Sequence, residues 1–374
     1  MRGKIFPDLS MPHMSGNERL TGSVFMLPAY STLRPCLPRL EDAVNAGREV
    51  WLVCSSAPME RFLQPLEKLG VHVFYAPTPR IRLFRPWNLF RERRRFLRTV
   101  EQLVSAIPPS DVYFYTICFD LAQMSIVSHF AGKPQFKLWF EDRDHTGPMG
   151  QQNQPCTAWR YRWYALEASW VIGTPVKMCY PPEPFPMLTR DALADRFTAV
   201  SPAPVSDIAS QPWNILKPLV RNSPAEVLWL YEDYPAYYGP DRVPLDPYLA
   251  LWRSMVLAVR KLFPEARQAV KAHPRMETLP DCFEGCETIA YFVPIEFVEL
   301  PSVRLVVGAP SLGLQPFIGR KAVSTLCMIE MMQAPAEVLE VERQRLTAWV
   351  DPSNRVEQFR SLEEFARIAT SALR

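Results

Sequence analysis

Three places where a β-rich run ends carry side chains able to do chemistry. Trp139-Phe-Glu-Asp-Arg-Asp-His-Thr-Gly closes one run and offers two carboxylates, Glu141 and Asp142, a residue type that can take a proton from a hydroxyl. Lys271-Ala-His-Pro-Arg closes a second and offers the His273 imidazole, with Pro274 fixing the backbone beside it and Arg275 adding a cation. Val307-Gly-Ala-Pro-Ser-Leu-Gly closes a third, where Gly308, Ser311 and the backbone N–H groups of a following helical turn could hold an anion. Between the last two, Val293-Pro-Ile-Glu-Phe puts Glu296 at the head of a helical turn. Each stretch also has a purely structural reading: an acidic pair caps a helix or lies in a solvated loop, His-Pro makes a turn, Ser311 is an N-cap, and Glu296 complements a helix dipole. Two further acidic groups stay open. Asp142 and Asp144 have D-x-D spacing with His145 adjacent, which suits an oxygen-rich metal site. Tyr231-Glu-Asp-Tyr-Pro, at another run end, could supply a base instead.

The elements that must position these groups alternate. Runs at 23–27, 49–54, 71–75, 111–115 and 136–140 read as strands, and 36–46, 58–69 and 91–107 as helices. A Pro/Ser-rich stretch from Ser201 to Pro218 interrupts the pattern, which then restarts with strands at 225–231, 269–272, 288–292, 303–307 and 322–326 and helices at 248–262 and 362–373. Strands alternating with helices predict parallel sheets covered on both faces, with ligands outside the carboxyl ends of the strands. The expected class is α/β, with two Rossmann-like domains facing each other across a cleft. The divisions are an extension over 1–20, a first domain over 21–200, a linker over 201–222, a second domain over 223–355, and a terminal helix over 356–374 that packs back on the first domain.

Composition agrees with that layout. A chain of 374 residues, 48% hydrophobic and 22% charged, is long enough for two cores and too apolar for wholesale disorder. The net charge of +3 does not by itself predict nucleic-acid binding. Pro 38 against Gly 14 predicts many rigid connections. The first residues, MRGKIFPDLSMPHMSGNERLTG, hold no apolar core of a secretory signal, and no apolar run approaches the ~20 residues of a membrane span. The eight cysteines form no C-x-x-C pair, so reduced thiols in a cytoplasmic protein are expected, and Cys282 with Cys286 makes a poor zinc site.

In order and spacing, Glu141-Asp142, His273-Pro274, Pro294 to Glu296 and Ser311 resemble the motif set of bacterial sialyltransferases and polysialyltransferases of the two-domain GT-B type. These carry an acidic D/E-D/E-G motif in the first domain, then His-Pro and Ser/Thr motifs in the second. The resemblance covers most of the chain in layout but only about a dozen residues in sequence. It implies an inverting, metal-independent transferase that moves a nonulosonic acid, sialic-acid-like or of the Kdo type, from a CMP-sugar to a bacterial surface glycan in capsule or lipopolysaccharide biosynthesis. Glu141 would be the base, Asp142 its orienting partner and His273 a third catalytic group that stabilises the departing phosphate, with His273, Pro274, Arg275, Glu296, Gly308 and Ser311 the nucleotide site and no cofactor beyond the donor substrate. Two departures stand out: Arg143 occupies the place of the motif glycine, and Ser311 stands alone rather than doubled. Arg143 keeps open a catalytically silent binding or assembly protein of the same fold. Asp142 and Asp144 keep open a metal-dependent transferase using another nucleotide sugar.

From Arg80 to Arg98 there are eight arginines and one acid, Glu92, with Phe84, Trp87, Phe90 and Phe96 interleaved. The aromatics are expected to pack on their own domain. Arg93, Arg94 and Arg95, with Arg143, are expected to meet an anionic glycan or lipid-linked acceptor, or the acidic face of the inner membrane. No nucleic-acid motif accompanies them.

Overall fold

The structure is a computed structural model. It describes residues 21–27, 30–81, 85–114, 120–141, 154–180, 185–188, 197–200, 215, 217–274, 276–349 and 356–374. The acidic residues Asp142 and Asp144, with Arg143 and His145, lie outside the described residues, as do Arg275, Phe84 and most of the expected linker.

The chain opens with β1 (Gly22–Leu27), α1 (Tyr30–Asn45), β2 (Glu49–Cys54), α2 (Ala57–Leu63), β3 (Val71–Tyr75), α3 (Pro86–Ala106), β4 (Ser110–Phe114), α4 (Leu121–Ala131) and β5 (Phe136–Glu141). There follow β6 (Gln154–Pro155), α5 (Trp159–Ile172), β7 (Val176–Tyr180), β8 (Phe185–Leu188) and β9 (Phe197–Val200). Six of these strands form one parallel sheet in the order β3-β2-β1-β4-β5-β9, while β6, β7 and β8 form a small antiparallel sheet. The central β1 is buried at all six positions, as a strand covered on both faces must be, while the edge strand β3 is mostly half-exposed. Two helix ends differ from expectation. The expected helix at 58–69 changes at Gln64 to a 3₁₀ turn over Gln64–Leu69, because Pro65 has no N–H to give to the carbonyl four residues back. The helix expected at 91–107 begins five residues earlier, with Pro86 in its first turn, where a missing N–H costs nothing.

The second half runs β10 (Arg221–Asn222), β11 (Val227–Tyr231), α6 (Tyr234–Tyr238), α7 (Leu245–Leu262), β12 (Gln268–Ala272), β13 (Glu287–Ile289), β14 (Val298–Glu299), β15 (Leu305–Gly308), β16 (Ser324–Cys327), α8 (Ala336–Trp349), β17 (Glu357–Gln358) and α9 (Leu362–Leu373). Its large sheet is again parallel, in the order β13-β12-β11-β15-β16-β17, the same permutation as the first. The strand expected over 288–292 stops at Ile289, and the chain turns away at Ala290, whose carbonyl accepts the Val293 N–H at 3.0 Å. The terminal helix corrects the expectation that it returns to the first domain. Phe365, Ile368, Ala369 and Leu373 of α9 are buried with Trp229, Trp252 and Phe359 against α7, β15 and β16 of the second domain. Ser361 caps this helix through the Glu364 N–H, and its apolar face fits the second core.

The two halves share a third cluster. Leu33, Leu37, Met59, Phe62 and Leu66 of the first domain pack with Ile215, Leu219, Val293 and Phe297, and the Phe62 and Phe297 rings meet edge to face at 4.9 Å. The Tyr30 hydroxyl donates to the Phe292 carbonyl at 2.9 Å, and Arg61 Nη1 donates to the Tyr291 hydroxyl at 2.9 Å. Tyr30 opens α1 directly beyond the carboxyl end of β1, and Phe292 lies just beyond the carboxyl end of β13. The carboxyl edges of the two sheets therefore meet on the same side of this contact.

Candidate active site

In the permutation both sheets adopt, the chain reverses direction of sheet growth between the first and fourth strands, and the crevice for a ligand opens there. In the second sheet that point lies between β11 and β15. His273 follows β12, the other neighbour of β11, and its backbone N–H donates to the Tyr231 carbonyl at 3.0 Å, which extends the ladder by one bond. Its own carbonyl accepts the Met276 N–H at 2.9 Å, closing a turn around Pro274. His273 and Pro274 are half-buried at the carboxyl edge.

Ser311 follows β15 across the same point. Its backbone is extended, and its Oγ accepts the Gly313 N–H at 3.0 Å, capping a 3₁₀ turn over Leu312–Phe317. The structural reading of Ser311 as an N-cap thus holds. The hydroxyl hydrogen is not used by that cap, so the same side chain can still donate to an anion. Gly308 ends β15 under this turn. A Cβ there would sit 3.1 Å from Leu314 Cδ2 and 3.2 Å from Leu230 Cβ, so close packing of the turn on β11 accounts for the glycine. The loop is held from behind as well. The Tyr234 hydroxyl lies 2.6 Å from the Pro310 carbonyl and 2.8 Å from Glu342 Oε2, and the buried Glu342 carboxylate also accepts from the Tyr238 hydroxyl and from Arg345 Nη1, the latter at 2.7 Å. Burial and this carboxylate hold the Tyr234 hydroxyl well above the ordinary tyrosine range, so it stays protonated.

Glu296 lies in the 3₁₀ turn Ile295–Phe297 with Pro294 as its N-cap residue, in keeping with the dipole reading, and that turn packs on the one that follows Ser311. Sequence reasoning passed over the residue that ties these pieces together. Lys271, the next-to-last residue of β12, is buried, and its Nζ donates to the Ala272 carbonyl and to the Tyr291 carbonyl at 2.8 Å. Burial pulls the Lys271 ammonium down to about 8, against the opposing pull of the Glu296 carboxylate. A lysine pointing inward from a strand of an apolar sheet was the available signal. The segments carrying His273, Glu296 and Ser311 are thus brought together at one edge of the second sheet.

On the first sheet, β5 ends at Glu141, at the carboxyl edge, and Glu141 pairs in register with Val200 of β9. Asp233 is taken by structure: its carboxylate accepts the Ala236 N–H at 3.1 Å as the cap of α6. The backbone carbonyl of Glu232 accepts the Tyr248 hydroxyl. Arg93 stacks on the Trp170 ring at 4.9 Å, and Arg94 and Arg95 are exposed on α3. The aromatics of that stretch do not all pack inward: Phe96 is buried, while Trp87 and Phe90 face water. Among the described residues no cluster of three or more His, Cys, Asp or Glu could hold a metal ion, and no helix is long and apolar enough to cross a membrane.

Two Rossmann-like sheets bring their carboxyl edges together at a shared contact. The architecture is GT-B. Solved structures of similar layout include a spinosyn rhamnosyltransferase complexed with thymidine diphosphate (14% identity over 94% of this chain and 95% of that one, TM-score 0.35). Others are the glycotransferase of kitacinnamycin (11%, 94% and 89%, TM-score 0.40) and a putative UDP-N-acetylglucosamine 2-epimerase from Listeria monocytogenes (11%, 95% and 96%, TM-score 0.36). No protein-family model matches the chain, and no curated protein matches it.

Proposed function

We propose that the protein is a glycosyltransferase that moves a nonulosonic acid from a CMP-sugar to a glycan acceptor with inversion. What supports the reading is the gathering of the His273, Glu296 and Ser311 segments at the carboxyl edge of the second sheet, together with a first sheet in which β5 ends in Glu141 at its own carboxyl edge. The Glu141 carboxylate takes the proton of the acceptor hydroxyl, whose oxygen bonds to the anomeric carbon. The bond from that carbon to the CMP phosphate breaks on the opposite face, through an oxocarbenium-like transition state. The departing phosphate carries its electron pair away, and the His273 imidazolium, the Ser311 hydroxyl and the N–H groups of the turn after Ser311 stabilise its charge. In this reading the role of Asp142 is to orient the base or the acceptor, and that of Arg275 is to add charge to the nucleotide site. Protein donors meet the phosphate charge, so the reaction as drawn asks for no metal.

The test is substitution at both edges. Glu141→Gln should lower turnover by two or more orders of magnitude while CMP binding is kept, and His273→Ala should weaken both. Full activity in either variant rejects the assigned roles. A thermal-shift screen over CMP, UDP, GDP and ADP reads the donor class directly, because only a ligand that binds the folded state raises its apparent stability. Arg143 in place of the motif glycine favours a second reading, a silent binding protein of the same fold. Hydrolysis of a CMP-sugar in the absence of acceptor distinguishes the two. Loss of activity in EDTA would instead return the assignment to Asp142 and Asp144.

A further inference from the structure

Helix α5 is apolar on two faces. Ala168, Val171 and Ile172 are buried against the first domain, as a packed helix requires. Trp159, Trp163, Leu166 and Trp170, at i, i+4, i+7 and i+11, form a second stripe that faces water, with Trp159 65% and Leu166 62% exposed. Neighbouring α3 continues the stripe: the Phe90 ring meets Trp170 edge to face at 4.7 Å, and Trp87, one turn earlier, is 85% exposed. Exposed arginines surround these rings: Arg85, Arg91, Arg94, Arg95 and Arg98 on or beside α3, and Arg160 and Arg162 on α5. The two helices carry only three acids, Glu92, Glu101 and Glu167.

We propose that the α3–α5 face docks the protein on an anionic lipid bilayer. A soluble polyanion would account for the arginines but leaves large apolar side chains in water. A second copy of the chain would cover the apolar stripe but set its arginines against their own kind. A bilayer surface takes both: tryptophan and leucine enter the boundary between headgroups and acyl chains, and arginines pair with lipid phosphates. The α3 end of the face has a further property. Helix α3 starts at the carboxyl edge of the first sheet, the edge that ends in Glu141, so docking there would hold the crevice close to the lipid surface. The proposal goes beyond the transfer reaction and does not depend on it, since vesicle binding needs no donor or acceptor.

The experiment is flotation of the full chain with vesicles of phosphatidylcholine, with and without phosphatidylglycerol, at low and high salt. Binding is expected only with phosphatidylglycerol present, and should weaken as salt rises. Trp87→Ser combined with Leu166→Ser should weaken it roughly tenfold or more. Arg91→Gln, Arg94→Gln and Arg98→Gln together should weaken it on the order of 100-fold. All five positions are exposed, so both variants should keep the parent's thermal melt by circular dichroism, and a melt that matches makes their binding loss a surface effect. Equal binding to neutral vesicles, no vesicle binding, or binding unaltered in both variants overturns the proposal. Retention on heparin without vesicle binding overturns it in favour of a soluble polyanion. A dimer by sedimentation that the Trp87→Ser and Leu166→Ser variant loses, again without vesicle binding, overturns it in favour of self-association.

Discussion

Lys271 puts a buried charge beside the candidate site. A buried ammonium is costly, and this one titrates at about 8 rather than at the ordinary 10.5. Between those values the unfolded chain binds the proton and the folded chain does not, so this group's contribution to stability improves as pH rises through that window. Below about 8 both states hold the proton and its cost is complete, ~3 kcal/mol for a shift of that size. Lys271→Met should therefore gain stability relative to the parent as pH falls from above 10.5 to below about 8, read as urea midpoints across pH. A difference that does not vary with pH would mean that the ammonium stays hydrated in the folded chain. The Lys271 ammonium clamps the strand before His273 to the segment carrying Glu296, so, on the proposed function, the same variant should also weaken CMP binding.

At the scale of elements, the capped helix ends and strand ends explain why each site segment sits where it does, and α9 shows what anchors the second domain. Phe365 is fully buried against Trp229 and Phe359, with ring centroids 6.4 and 5.2 Å away. Phe365→Ala should cost about 3–5 kcal/mol by denaturant unfolding, with α9 the first element to lose hydrogen-exchange protection. A cost under 1 kcal/mol would mean that α9 is peripheral to this core. The same scale shows which elements sequence pattern reveals. Strands β2 and β3 and helix α9 match their expected bounds, because β2 and β3 are short, β-branched and aromatic runs and the apolar residues of α9 fall at helical spacing on one side only. Helix α4 is buried from Leu121 through Val127, which leaves no polar face to mark a period. Helix α5 carries apolar residues on opposite faces, which blurs the period in the same way.

For the whole molecule, the question is what makes two similar domains one cooperative unit. The shared cluster around Phe62 and Phe297, with the Tyr30 and Arg61 hydrogen bonds at its rim, is that joint. Phe297→Ala removes its central ring. In calorimetry a single unfolding transition should then separate into two, because each domain retains its own core while the coupling between them falls. A single transition at a lower temperature would show that the contact acts only as additional core.

Read alone, the chain determined that strands and helices alternate, that the pattern restarts midway, and that polar groups collect at strand ends. These are local matters: periodicity, proline placement and the change of residue type where a strand leaves its sheet. Tertiary structure decided what local pattern cannot carry. Strand order depends on which distant strands pair, and so it alone set His273 and Ser311 on either side of β11. The side on which α9 packs depended on shape fit with Trp229 and Phe359. Whether an apolar residue faces core or water depended on which helix lies beside it, which is why Phe96 is buried while Trp87, nine positions before it, faces water.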